Sequence, residues 1–286
     1  MKGKLFFVGS PIGNLKDFSI NQQETLKSVD LILCEDTRTS RTLLSYYNIN
    51  KPLLSFHKFN YKEMIPKVID KLLSGENIAL ISDAGMPVIS DPGGEIIEKL
   101  IENEIPYTVI GGVSAFLNAY ILSGFSTPFT FIGFLPNKQS ERKKLLLDFK
   151  FVNSTLIFYS SVHKINDDIK DLFEHLGDRK ICIARELTKC FEEVTFSTLK
   201  EGYNKTLKGE FVIVVEKNKE TEKEDLSYDI QLERYLKLGY TKNESIKLIA
   251  KENNISKKEV YDYFIKREEW WVYWVFLKRK QKRLRN

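Results

Sequence analysis

Hydrophobic and polar positions follow two different periods along this chain. Over the first third, short apolar runs, "KLFFVG", "LILCEDT", "NIALISDAG" and "IPYTVIGG", are separated by longer stretches such as "INQQETLKSVD", "KEMIPKVIDKLLSGE" and "GGEIIEKLIENE". In the longer stretches apolar residues recur every three or four positions, as at Ile65, Val68, Ile69, Leu72 and Leu73, which is the spacing of one helix face. Strand-sized runs alternating with helices predict a mainly parallel sheet covered by helices on both faces, because a strand returning in the same direction needs a crossover.

After "SGFSTPFTFIGFLPNKQ" come the runs "STLIFYSS", "KICIARELT", "CFEEVTFSTL" and "GEFVIVVE". Several are close enough for hairpins, which predicts a second α/β domain with a more antiparallel sheet. The charged run "KNKETEKEDLSYD" reads as a linker. Beyond it three helical segments are separated by "GYTKNES" and "NNISKKE", where Thr241 and Ser256 serve as N-caps with Glu244 and Glu259 three residues on. The expected organisation is an N-terminal α/β domain (1–122), a second α/β domain (123–218), a linker (219–229), a small helix-turn-helix-like module (230–267) and an aromatic, basic tail (268–286).

With 286 residues, 42% of them hydrophobic, the chain has the make-up of a soluble protein of two domains. Its start lacks the pattern of a signal peptide, and "WWVYWVFL" at 270–277 is too short to span a bilayer; a cytoplasmic protein with no membrane partner is expected. The formal charge of +5 owes six basic residues to the last nine, "KRKQKRLRN", so the rest carries −1. Global charge is thus weak evidence for nucleic acid, and any basic surface must be local. Cys34, Cys182 and Cys190 are far apart and form no CxxC pair, so reduced, buried thiols are expected. No His, Cys or carboxylate set has metal-ligand spacing, and no metal is expected.

Ligands gather at the carboxyl ends of parallel strands. Four loops follow apolar runs: "GSPIGN" (9–14), "CEDTRTSR" (34–41), "SDAGMPVISDPGGE" (82–95) and "GGVSAF" (111–116). The first is no G-x-G-x-x-G, and Pro11 removes a backbone donor, which disfavours a pyrophosphate and leaves a less charged ligand. Alone it reads as a turn. Four such loops in register point to a cleft.

The runs "VGSPIGNL", "EDTRTSRTLL", "LISDAGMPVISDPGGE", "FTFIGFLP", "ARELTK" and "KGEFVIVVE", in this order, resemble the ribosomal RNA small subunit methyltransferase I family within the tetrapyrrole-methylase-like superfamily. The resemblance implies two α/β domains holding S-adenosyl-L-methionine between them, 2′-O-methylation of a cytidine in 16S ribosomal RNA of the small subunit, and a homodimer. It maps the donor site onto Gly85, Met86 and Ile89 in the third loop, Ser114 and Ala115 in the fourth, Pro11 in the first, and Tyr159 and Ala184 in the second domain. Two positions depart from it: Gly111-Gly112-Val113 stands where relatives read Pro-Gly-Pro, and Phe59 stands in "FHKFN" where many have a second histidine.

Asp36, Asp83, Glu186 and Lys189 are the candidates for aiding proton removal from a weakly acidic hydroxyl. For Asp36 with Arg38 the alternative is an ion pair and cap at a helix start, and for Glu186 with Lys189 a local salt bridge. Asp91 reads better as a cap or a partner for loop amides, and His57 as structural. Arg38 and Arg41 share a face if their helix starts near Thr39, which suits RNA phosphates. Lys138, Arg142 and Lys143 either grip the same backbone or form a solvated helix start. Two alternative functions remain, a tetrapyrrole methyltransferase and a noncatalytic RNA-binding ribosome-assembly factor; donor binding separates the second from the enzymes.

Overall fold

The computed structural model describes residues 1–90, 94–218, 228–237, 240–253 and 255–264. The chain divides into two units, Met1–Lys219 and Glu220–Asn286. Asp91, most of the linker and the tail from Trp270 lie outside the described residues.

The first unit begins with a parallel sheet of β1 (Leu5–Val8), β2 (Leu31–Cys34), β3 (Leu53–Ser55), β4 (Ile78–Ile81) and β5 (Tyr107–Ile110), in the order β3-β2-β4-β1-β5. Its helices are α1 (Ile20–Ser28), α2 (Thr37–Tyr46), α3 (Tyr61–Leu73) and α4 (Gly94–Glu102). Successive strand residues point to opposite faces, and the core divides accordingly. Leu5, Phe7, Leu33, Ile78 and Leu80 pack against Val68, Leu72, Ile96 and Leu100 of α3 and α4. Val8, Ile32, Ala79 and Ile81 pack on the other face against Leu26, Leu43 and Leu44 of α1 and α2. Each such buried side chain stabilises the fold by about 1.5–3 kcal/mol relative to exposure, so sheet and helices hold the strand ends firmly. The α2 helix begins at Thr37 rather than near Thr39, because Asp36 caps it by accepting the Arg38 N–H.

A second sheet follows: β6 (Phe129–Phe134), β7 (Thr155–Ser161), β8 (Lys180–Arg185), β9 (Glu193–Thr198) and β10 (Glu210–Val215), in the order β6-β7-β10-β8-β9. Only β6 and β7 are parallel; the other pairings are antiparallel. Helices α6 (Gln139–Phe149) and α7 (Ile165–Leu176) cover one face. The other is covered by α5 (Ala115–Ser123), whose Ala119 packs with Ile157, Cys182, Ala184 and Val212. Ile12 joins this apolar cluster, so the loop after β1 reaches from the first sheet into the second.

In the second unit α8 (Tyr228–Lys237), α9 (Lys242–Glu252) and a helix over 257–264 enclose Tyr235, Ile246, Ile249, Val260 and Phe264. Thr241 with Glu244 and Ser256 with Glu259 form reciprocal caps. Cys34 and Cys182 are buried, with burial pushing the Cys182 thiol up to about 11. Cys190 corrects the expectation: it lies in the loop after β8 and is exposed.

Candidate active site

The loops after β1, β4 and β5 face β7, β8 and β10 across a cleft of about 400 Å³. Close backbone approach shapes its first wall. A Cβ on Gly9 would lie 2.8 Å from the Gly112 Cα and 2.8 Å from the Met86 sulfur, so the loops after β1 and β5 touch only because both positions are glycine. Gly85, at φ +78°, exchanges two backbone hydrogen bonds with Ser10, of 2.7 and 3.0 Å. Val88 and Ser90 are also left-handed, at φ +73° and +66°. For a β-branched residue this is rare, and such strain is held only where the surroundings over-determine it; Val88 packs on the first sheet's core.

Of the residues mapped to a donor site, Gly85, Met86, Ile89, Ser114, Ala115, Tyr159 and Ala184 all line this cleft. Pro11 is buried beside it, and its neighbour Ile12 presents the lining surface instead.

The four carboxylate and ammonium candidates separate. Asp83 lines the cleft. Partial burial pushes its carboxyl up and the Asp36 charge adds to this, against the 3.1 Å hydrogen bond it accepts from the Asp36 N–H. Asp36 faces solvent, and its hydrogen bonds from the Arg38 side chain and N–H bring its carboxyl down to about 2. Lys189 Nζ lies 2.9 Å from Glu186 Oε1 and 3.0 Å from Glu210 Oε2. Burial works against both charges of the Glu186–Lys189 pair, yet the pairing prevails: Glu186 titrates below its ordinary range and Lys189 above. Neither lines the cleft, whereas Glu210 does. The Glu186–Lys189 loop is instead docked on the first loop, where the Asn14 N–H donates to Thr188 Oγ1 over 3.1 Å.

Arg142 overturns its expected place on an RNA surface. It is 7% exposed, its guanidinium bonded to Asp168 and 2.8 Å from Asp171 Oδ2. The turn of α6 that exposes Lys143 and Lys144 points Arg142 at α7. Asp171 also accepts from Gln139 Nε2 (3.0 Å), and Asp168 accepts from Ser160 Oγ (2.6 Å). Ser160 lines the cleft.

Lys138 and Lys143 are exposed, Lys138 pairing with Glu141 at 3.0 Å. Arg38 and Arg41 are exposed on α2. His57 Nδ1 accepts from the Phe59 N–H, a structural role. Sequence reasoning passed over Glu35, Glu210 and Ser160, which all line the cleft. Glu35, the first acid after β2, carried the same signal as Asp36; Ser160 lies within a strand and carried none.

Residues 4–202 match the family model described as Tetrapyrrole (Corrin/Porphyrin) Methylases. Several similar proteins are named Ribosomal RNA small subunit methyltransferase I. That of Bacillus subtilis is 41% identical over 277 residues, with 92% of this chain and 95% of the relative covered. That of Halalkalibacterium halodurans is 40% identical over 274 residues, with the same shares, 92% and 95%. That of Mycoplasmopsis pulmonis is 45% identical over 215 residues, with 74% and 96% covered. Among solved structures, diphthine synthase is similar with a TM-score of 0.60 at 15% identity, covering 75% of this chain and 90% of that one. Uroporphyrin-III C-methyl transferase from Thermus thermophilus, complexed with S-adenyl homocysteine, has a TM-score of 0.55 at 19% identity, covering 74% and 97%. At those identities the structures show the shared fold alone. By the family model and by relatives that match it over most of its length, the chain belongs to the tetrapyrrole methylase family and, within it, to the ribosomal RNA small subunit methyltransferase I family.

Proposed function

We propose that this protein transfers a methyl group from S-adenosyl-L-methionine to the 2′-hydroxyl of a cytidine in 16S ribosomal RNA, acting on the small ribosomal subunit as a cytoplasmic homodimer. The observation that carries this reading is the cleft itself: the glycine loops around Gly85 and Ser114 meet Tyr159 and Ala184 in a chain whose relatives are named Ribosomal RNA small subunit methyltransferase I.

The residues suit the donor. A cleft of about 400 Å³ is the size of a small-ligand site. Its lining carboxylates Glu35, Asp83 and Glu210 complement a cation. Gly85, Met86, Ile89, Ser114, Ala115, Tyr159 and Ala184 would hold the donor, which when bound supplies an electrophilic methyl group on a sulfonium. The protein's task is then to bring the acceptor oxygen into line and receive its proton. Asp83 is our choice for the base, because it is the candidate that lines the cleft and has a raised pKa. Asp36 orients it through the backbone N–H, while Lys189, kept charged by Glu186 and Glu210, organises the opposite rim. Arg38, Arg41, Lys138 and Lys143 would contact RNA phosphates.

A second copy of the chain is supported by an apolar surface. Edge strand β5 exposes Tyr107 and Val109, and α5 exposes Leu117, Ile121 and Leu122 on the side away from the second sheet. A helix apolar all round is normally covered on both sides, and an open sheet edge invites pairing. Light scattering should therefore give twice the monomer mass.

The decisive test is incubation with labelled S-adenosylmethionine and small subunits lacking the modification, followed by mass spectrometry of the digested RNA. A methyl group on a cytidine sugar is expected. A methyl group on a base, or on a tetrapyrrole while the RNA stays unlabelled, overturns the reading.

A further inference from the structure

Among the described residues Phe59 is the most exposed large aromatic, at 85%. It sits in the loop between β3 and α3, and that loop is tightly bonded. Asn60 accepts the His57 N–H at 2.8 Å and donates to the Ser55 carbonyl at 2.9 Å, while the Phe59 N–H donates to His57 Nδ1 at 3.2 Å. The backbone therefore fixes where the ring leaves the surface. The Lys58 ammonium lies 4.9 Å from the ring centroid, and the His57 ring meets it edge-on at 5.8 Å.

The loop belongs to the end of the sheet that carries the cleft. The Phe56 N–H donates to the Cys34 carbonyl at 2.8 Å and Ser55 Oγ to the Glu35 carbonyl at 3.4 Å, so it abuts Glu35, which lines the cleft. In the sheet order β3 lies two strands from β4, which leads into Asp83. Two strand spacings are ~10 Å, a distance that one or two nucleotides of an extended strand cover.

Single exposed apolar side chains are ordinary on protein surfaces. The surroundings set this one apart. An apolar docking patch would continue into exposed aliphatic neighbours, but the residues flanking Phe59 are His57, Lys58, Asn60 and Tyr61, followed by the exposed Lys62 and by Glu63, whose carboxylate is paired with Lys67. Arg38 and Arg41 project from the start of the adjacent helix, both exposed. An exposed aromatic ring with an ammonium over one face and guanidinium groups on the adjacent helix matches a ligand with π-faces on an anionic backbone. That is single-stranded nucleic acid rather than a protein.

We propose that Phe59 is a stacking platform for a base of the RNA strand beside the acceptor nucleotide, with Lys58 and Arg41 holding the flanking phosphates. The inference rests on the RNA methyltransferase reading and deepens it, since the platform holds the strand while the neighbouring ribose enters the cleft.

The test compares wild type with F59A, F59L and F59W in the full chain, using unmodified small ribosomal subunits and labelled S-adenosylmethionine. F59A and F59L should each raise the KM for subunits about tenfold, with kcat and the dissociation constant for S-adenosylhomocysteine unchanged. F59W should stay within about twofold of wild type, because stacking tolerates any flat ring. K58A should flatten the salt dependence of subunit binding by about 0.7 in the log–log slope, one phosphate contact on a single strand. An F59L variant equal to wild type would reduce the ring to apolar packing, and an F59A variant that dissociates the dimer would assign it to a protein interface; either result overturns the platform. If the wild type itself leaves subunit RNA unmethylated, the functional reading fails and takes the platform with it; if it methylates while F59A is unaffected, the platform alone is wrong.

Discussion

The two walls of the cleft are built by opposite means. The first is made of loops beyond the ends of parallel strands, held by glycine contacts and left-handed residues, with its carboxylates open to the cleft. The second is made largely of strand residues inside hydrogen-bonded ladders, Tyr159 and Ser160 on β7 and Ala184 on β8, backed by a buried ion cluster between α6 and α7. Chemistry on the first wall can thus be altered without disturbing a core. On the second, Ser160, which lines the cleft, is bonded to Asp168 of the cluster that holds the fold.

The largest expected effect is on the first wall. Asp83→Asn should lower kcat by about 10²- to 10⁴-fold, the usual contribution of a positioned base, while the unfolding midpoint stays near wild type. The pH profile sharpens this. The base works when ionised, so wild-type kcat should rise with pH through the Asp83 pKa and then level off; because burial raises that pKa, the rise lies above the ordinary aspartate range. Asp83→Asn should lack the rise. A variant that keeps both its rate and its acid limb would move the base elsewhere.

On the second wall, Arg142→Ala should lower stability by about 3–5 kcal/mol, since it leaves Asp168 and Asp171 as buried carboxylates without their shared cation. The urea midpoint reads this directly. An unchanged midpoint would show that the cluster behind the wall is solvated, and the contrast between the walls would be lost.

How far the sequence made these features legible follows the same division. The βα alternation, the antiparallel second sheet and the caps at Thr241 and Ser256 depend on local patterns, and local patterns are what a sequence displays. The loops of the first wall were legible for the same reason, since glycine and proline mark chain reversals. Arg142 was misplaced because "ERKKLLLDF" reads as a charged helix start, and nothing local says that the second residue of the four turns toward Asp168, 26 positions away. The departure at Gly111-Gly112-Val113 also becomes clear in three dimensions. A Cβ on Gly112 would lie 2.9 Å from the Gly9 Cα, whereas one on Gly111 meets nothing within 4 Å; of the two glycines only the second demands it.

That asymmetry makes the next, smaller prediction. Gly85→Ala forces a side chain into the left-handed region and should destabilise the loop by about 1–2 kcal/mol, weakening S-adenosylhomocysteine binding by about five- to thirtyfold if the strained backbone is what the donor meets. Gly111→Ala should be silent in both binding and stability. Calorimetry on the pair decides it, and equal affinities would separate the glycine loops from the donor.

The smallest expected effect concerns an ion pair that looks in sequence like the Arg142 cluster and is physically its opposite. Arg38 contacts Asp36 at 2.7 Å, but the Arg38 side chain is 88% exposed, and a surface pair of this kind contributes little to folding because water and salt screen it. Arg38→Ala should lower the urea midpoint at neutral pH only slightly. The change should appear in titration and in RNA binding. The Asp36 carboxyl, held at about 2 chiefly by the Arg38 side chain, should move up toward the ordinary aspartate range. The sign follows from that depression: what the bonded carboxylate adds to stability is present above the unfolded aspartate pKa and fades as pH falls toward 2, so wild type and variant should differ in acid unfolding only above the region where both are protonated. With its guanidinium gone, the surface loses one phosphate partner, and the log–log salt slope of RNA binding should flatten by about 0.7 to 0.9. A midpoint that falls as far as that of Arg142→Ala would mean that exposure does not distinguish the two arginines, and an unchanged salt slope would take Arg38 off the RNA path.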